Sequence, residues 1–233
     1  MHNPVHNSLK TEIFPSALVV ASFILATYFY VHSPDRVVIH WNFAGQPNGY
    51  AGKLFGNYLV PGILLGMYAL FLILPNIDPR QERYGEFFTV YHQFKRAIMS
   101  VFFIIFVALG LYNIGYPVKI NYVVPLAVGA LMVVMGGLMR KLKQNSFMGI
   151  RTAWTLSSEV VWNKTHRVGG VLFVIFGLCL IAAPFLGKIV GSVLLVAGII
   201  VAIVGSIGYS YLISRERKRE AVSTEPTPPG RLR

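Results

Sequence analysis

Six stretches of this chain, at 13–31, 54–74, 97–116, 120–139, 168–186 and 189–213, hold no Asp, Glu, Lys or Arg and are almost wholly apolar. A bilayer core about 30 Å thick takes roughly 20 apolar helical residues to cross, and each stretch reaches that length. In hydrocarbon a backbone amide finds no water, so each stretch is expected to close its hydrogen bonds internally as a helix. The runs are continuous rather than alternating, which disfavours barrel strands. Pro15, Pro61, Pro125 and Pro184 fall within or near the ends of the stretches, where a kink is tolerable. The expected fold is all-α, a polytopic membrane protein of six transmembrane helices.

Composition agrees. Hydrophobic residues make up 55% of the chain and charged ones 13%, against about a quarter charged in soluble domains. That balance excludes a soluble globular domain and a disordered chain. A single cysteine, Cys179, rules out a disulfide framework or a cysteine-built metal cage within one chain.

The net charge of +12 reads as an orientation signal before it reads as affinity for nucleic acid. With the N terminus inside, only Arg36, Lys53, Lys119 and Lys188 of the 21 Lys and Arg residues fall outside. Both termini are therefore expected in the cytoplasm. The first span is followed by no small-residue cleavage site and reads as a retained anchor. The expected organisation is a two-helix unit over 1–96 with an extracytoplasmic loop at 32–53. A four-helix unit follows over 97–214, with a cytoplasmic loop at 140–167. Residues 215–233 form a basic tail, rich in Pro and Thr from 223 onward, and expected to be disordered. No motif repeats between the halves. Gly62/Gly66 and Gly187/Gly191 have a spacing that permits close helix approach, but ordinary packing or a flexible small-residue span is the expected explanation.

Pumps and proton-coupled carriers place ionisable groups at mid-membrane depth. The six stretches offer only mild polar residues such as Ser22, Thr27, Asn113 and Ser206. A small-molecule transporter or channel is thereby weakened as an alternative.

The two polar loops carry the information. In the first, residues 37–41 favour an extended segment, and Gly45, Pro47, Asn48 and Gly49 are turn formers. Trp41 and Tyr50 suit a membrane interface. His40 has only His32 and Asp35 nearby as co-ligands, so a hydrogen-bonded histidine is expected there rather than a metal ligand. In the second loop, Thr155 or Ser157 can cap a helix with Glu159 in its first turn. Helical spacing then puts Glu159, Trp162, Asn163, His166, Gly169, Gly170 and Phe173 on one stripe. The stripe faces a neighbouring helix or partner, or else Trp162, His166 and the basic residues simply anchor an interfacial helix. His166 with Glu159 could make an oriented base, and Ser157, Ser158 or Thr165 a nucleophile. Such groups near a helix start are common, and no enzyme is expected.

Two motifs resemble a known family. Asn145, Gly149, Ile150, Arg151, Thr152, Trp154 and Thr155, followed by Glu159, Trp162, Thr165, His166, Arg167, Gly169 and Gly170, resemble the signature segment of the SdpI family. These are bacterial multispan membrane proteins named for immunity to a secreted killing factor. His40, Trp41, Asn42, Gly45, Pro47, Gly49 and Tyr50, with Lys53, resemble a domain of unknown function common at their N-terminal end. The resemblance implies a plasma-membrane immunity or signalling protein without cofactor or metal. It would protect against a membrane-active peptide toxin and hold a cytoplasmic repressor at the membrane. Its expected partners are the lipid bilayer, the toxin and the repressor, with no direct nucleic-acid binding. The first loop is the expected toxin contact, and the second motif the cytoplasmic docking segment.

Overall fold

The computed structural model describes residues 8–42 and 45–224. Its elements in order are α1 (Leu9–His32), β1 (Arg36–Trp41), β2 (Pro47–Gly52), α2 (Lys53–Ile77), α3 (Phe88–Asn113), α4 (Ile120–Met139), α5 (Ala153–Ser157), α6 (Glu159–Ala182) and α7 (Lys188–Thr224). A 3-10 turn, Gln81–Phe87, leads into α3, and another, Ala183–Phe185, takes up Pro184 after α6. All but the short α5 are long and apolar enough to cross a membrane. The six-helix expectation holds, and the protein is a multi-pass membrane protein.

The helices outrun the charge-free stretches. The helix α1 starts at Leu9 and α3 at Phe88, which brings Glu12, His92, Lys95 and Arg96 into helical register. Lys95 is fully buried and donates to Glu12 Oε1 at 2.6 Å and Oε2 at 2.8 Å. The buried ring of His92 lies beside them, with Nδ1 3.7 Å from Glu12 Oε1. A hydropathy window stops at the first charge; a helix does not when the charge finds its counter-ion inside. The helix α7 likewise runs to Thr224, past the expected start of the tail at 215. No Gly or Pro interrupts 213–224, so nothing breaks the helix there. Residues 225–233 lie outside the described residues.

Three clusters hold the bundle together. Val19, Leu64 and Met99 join α1, α2 and α3, and Ala26, Phe29 and Phe106 extend that contact. An aromatic core closes the far end, where Phe71, Tyr84, Tyr91 and Phe94 meet Leu142, Met148 and Trp162. The pair α4 and α6 meets backbone to backbone. A Cβ on Gly129 would lie 2.7 Å from the Gly177 carbonyl, and one on Gly136 2.5 Å from the Gly170 carbonyl. Glycine alone permits that approach. The Gly62/Gly66 pair has open space above it, so the close seam runs through glycines spaced by seven.

Three spans separate the β1–β2 hairpin from the α4–α6 connection, so the two polar segments sit at opposite ends of the bundle.

Candidate functional site

At the hairpin end the first motif folds into an antiparallel ribbon, with Val38 opposite Tyr50 and register shifts on both sides of His40. Val37 is fully buried, and its Cγ2 occupies the space a Cβ on Gly56 of α2 would take. Asn113 at the end of α3 fastens the ribbon: its Oδ1 accepts from the Val38 amide at 2.8 Å, and its Nδ2 donates to the Val38 carbonyl at 3.0 Å. Trp41 packs edge-on against Tyr112 with centroids 5.1 Å apart. His40 Nδ1 donates to Asn48 Oδ1 at 2.6 Å. The turn is held by Asn42, whose Oδ1 accepts from the Gln46 amide at 3.0 Å and whose carbonyl accepts from Gly45. Gly45 has φ +74°, where a side chain would be strained. Gly49 lies under His40, so close that a Cβ would meet His40 Cβ at 2.7 Å. Pro47 opens β2, and Tyr50 leaves half its surface exposed. The expected extended segment and turn are therefore present, and most of the motif builds the ribbon. Tyr50, His40 and Asn48 point outward.

At the other end the second motif is a self-satisfied knot. Asn145 is fully buried; its Oδ1 accepts from the amides of Phe147 and Met148 at 2.9 and 2.6 Å, and its Nδ2 donates to the Lys143 and Met148 carbonyls. Thr152 caps α5, and Thr155 Oγ1 returns the bond by accepting from the Thr152 amide at 2.8 Å. That is the reciprocal arrangement of a capping box. Thr155 also donates to the Ile150 carbonyl at 2.9 Å. Ser158, not Ser157, caps α6, and Arg217 of α7 donates to its hydroxyl at 2.7 Å. The Thr152 hydroxyl lies 3.1 Å from that of Ser210 on α7, and Trp154 packs on Tyr211. Arg151 reaches back to the Ser146 carbonyl.

The expected stripe on α6 divides. Trp162, His166, Gly169 and Gly170 face inward with Thr165, whereas Glu159 and Asn163 stay exposed. Trp162 is fully buried, donates from Nε1 to the Leu142 carbonyl at 2.8 Å, and stacks on His166 with centroids 3.9 Å apart. It is core rather than interfacial anchor. His166 Nε2 accepts from the Ile150 amide at 3.0 Å, so Nδ1 carries the proton and donates to the Trp162 carbonyl at 2.8 Å. Both ring nitrogens are committed, and Glu159 pairs with Arg83 at 2.5 Å instead. The oriented base is not assembled. Gly149, at φ +101°, lies under the same ring: a Cβ there would meet His166 Nε2 at 2.3 Å. Gly169 makes room for Ile150 and Ser206.

Two residues outside either motif complete the knot. Asp78, buried at the end of α2, accepts from the Arg80 amide at 2.8 Å through Oδ1. Its Oδ2 accepts from the Ser146 amide and the Tyr84 hydroxyl, both at 2.9 Å. Burial works against its charge, but the amides of Arg80 and Ser146 and the Tyr84 hydroxyl outweigh it and hold the carboxyl below the usual carboxylate range. Arg80 donates to the Leu156 carbonyl at 2.9 Å. The signal in the sequence was an acid and a base flanking Pro79 just past a span, in a chain with only nine acids.

Comparison with known proteins agrees with these two segments. Residues 141–210 match the SdpI/YfhL protein family, and residues 17–65 match a domain of unknown function, DUF1648. The chain is 24% identical over 205 residues to Immunity protein SdpI of Bacillus subtilis (strain 168), covering 87% of this chain and 96% of that protein. No solved structure matches.

Proposed function

We propose that this SdpI/YfhL-family membrane protein confers immunity on the cell that makes it, against a secreted, membrane-active peptide toxin. The similarity to Immunity protein SdpI carries the proposal, because it extends over 87% of the chain, well beyond either family segment. The two termini and the second motif then face the cytoplasm, and the ribbon faces outward. Exposed Tyr50 and His40, with Trp41 behind them and Asn42, Gly45, Pro47 and Gly49 shaping the turn, form the toxin contact. A path for signalling is available within the fold. Asn113 ties the ribbon to α3, and the far end of α3 packs through Tyr91 and Phe94 into the core around Trp162. Toxin at the ribbon would shift α3 and, with it, the face of the 145–170 segment that a cytoplasmic repressor reads. The commitment of both His166 nitrogens supports a role without catalysis.

The test is deletion in the native bacterium, followed by challenge with concentrated supernatant from its own stationary-phase culture. Sensitivity of the deletion strain, reversed by the intact chain but not by Tyr50→Ala, is the expected result. Equal survival of deleted and complemented cells overturns the immunity proposal. Reporter fusions at Asn48 and Ser157 should report opposite sides of the membrane, with Ser157 inside.

A further inference from the structure

Arg151 and Glu159 of the second motif both bond within the fold, but Arg167 does not. It stands exposed on α6 one turn from Lys164, and among the described residues neither cation has a carboxylate within ion-pair reach. Glu159 is taken by Arg83. Glu216, two turns beyond Tyr209 on α7, pairs with neither. Beside the two cations lies an open surface groove of about 540 Å³, walled by Val168, Val171 and Leu172 of α6 and by Tyr209 of α7. The arrangement is graded along the helix. Lys164 and Arg167 come immediately before the charge-free stretch that begins at Val168, so the cations sit at its polar edge and the apolar wall runs inward from them.

We propose that this α6–α7 groove is a binding site for one anionic phospholipid of the leaflet at the second-motif end. Its phosphate would sit between Lys164 and Arg167, and an acyl chain would lie along Val168, Val171 and Leu172. The charge of the site selects the headgroup. Exposed unpaired cations at a bilayer edge attract anionic lipid by about 1 kcal/mol each, and the apolar wall excludes a free phosphate as the natural occupant. The lipid would bridge α6 and α7 beside the points where Ser158 meets Arg217 and Thr152 meets Ser210. It would thereby brace the knot from the membrane side. The proposal rests on membrane location alone and is independent of the immunity function.

Native mass spectrometry of the full-length protein in detergent tests it, with phosphatidylglycerol, phosphatidylcholine and glycerol 3-phosphate as separate probes. One phosphatidylglycerol should bind with a preference over phosphatidylcholine on the order of thirtyfold, the factor two such cations supply, and glycerol 3-phosphate should not be retained. The variant K164Q/R167Q should lose that preference with an unchanged thermal midpoint in lipid-free detergent, since neither side chain has a protein partner to lose. The variant K218Q/R219Q, on the exposed end of α7, should keep it. V171W, which fills the groove, should weaken binding of both lipids. Retained preference in K164Q/R167Q, loss of it only in K218Q/R219Q, or retention of glycerol 3-phosphate would each overturn the proposal.

Discussion

Lys95 and Glu12 join α3 to α1 through two hydrogen bonds of 2.6 and 2.8 Å, with the ammonium fully buried. Removing either partner strands the other charge, at a cost of about 3–5 kcal/mol, whereas removing both leaves far less to desolvate. Glu12→Gln and Lys95→Met should each depress the thermal midpoint in detergent strongly, and the double variant should recover most of the loss. Additive losses in the double-mutant cycle would mean the two groups act separately.

Gly149 combines a positive φ with contact to His166. Gly149→Ala should cost about 2 kcal/mol or more, from backbone strain and displacement of the ring. Protease accessibility of the 145–158 segment in right-side-out and inverted vesicles reports it. An unchanged cleavage rate would show that the ring can move aside freely.

Asp78 carries a pH dependence. Its folded pKa lies below the unfolded value of about 3.9. The stabilisation it provides is therefore whole above that pH and is lost as pH falls through the folded value. Asp78→Asn should cost about 1.5–3 kcal/mol at pH 7 and should flatten the acid limb of a stability profile taken from pH 7 to pH 3. A variant whose acid limb remains as steep as the parent's would assign that limb to another group.

Thr165 lies in the segment that matches the SdpI/YfhL family, and its hydroxyl is buried without a hydrogen-bond partner among the described residues. An unpaired hydroxyl of this kind costs about 1–3 kcal/mol. Thr165→Val, nearly equal in shape, should leave stability unchanged or raised. If protection falls in that variant while the thermal midpoint holds, the hydroxyl serves a partner; a drop in midpoint would reveal an internal partner instead.

The spans were legible because an uninterrupted apolar run has one solution in lipid. The ribbon was half legible, since turn chemistry at Gly45–Gly49 is local, but its clasp on Asn113 lies 75 residues from Val38. Distance in sequence also hid Asp78 and Arg80, which reach Ser146 and Leu156 across 68 and 76 residues. The buried Glu12–Lys95 pair is illegible for a different reason: hydropathy treats a charge as a boundary and cannot see that its counter-ion waits on another helix. The glycine seam is hard to read because Gly129/Gly136 and Gly170/Gly177 are each spaced by seven, whereas the familiar signature of close helix approach is spaced by four. Residue type alone makes His166 a candidate base; its two nitrogens are spoken for by backbone groups that only the folded loop supplies.

That seam has a mechanical corollary. At Gly129, Gly136, Gly170 and Gly177 the two rods touch main chain to main chain, with no side chain of their own to cushion a load. The helices α4 and α6 therefore have little room for small adjustments at those contacts. Over the stretch from Gly129 to Gly136 they are expected to move together, so that a push on one is passed to the other rather than taken up by side-chain rearrangement.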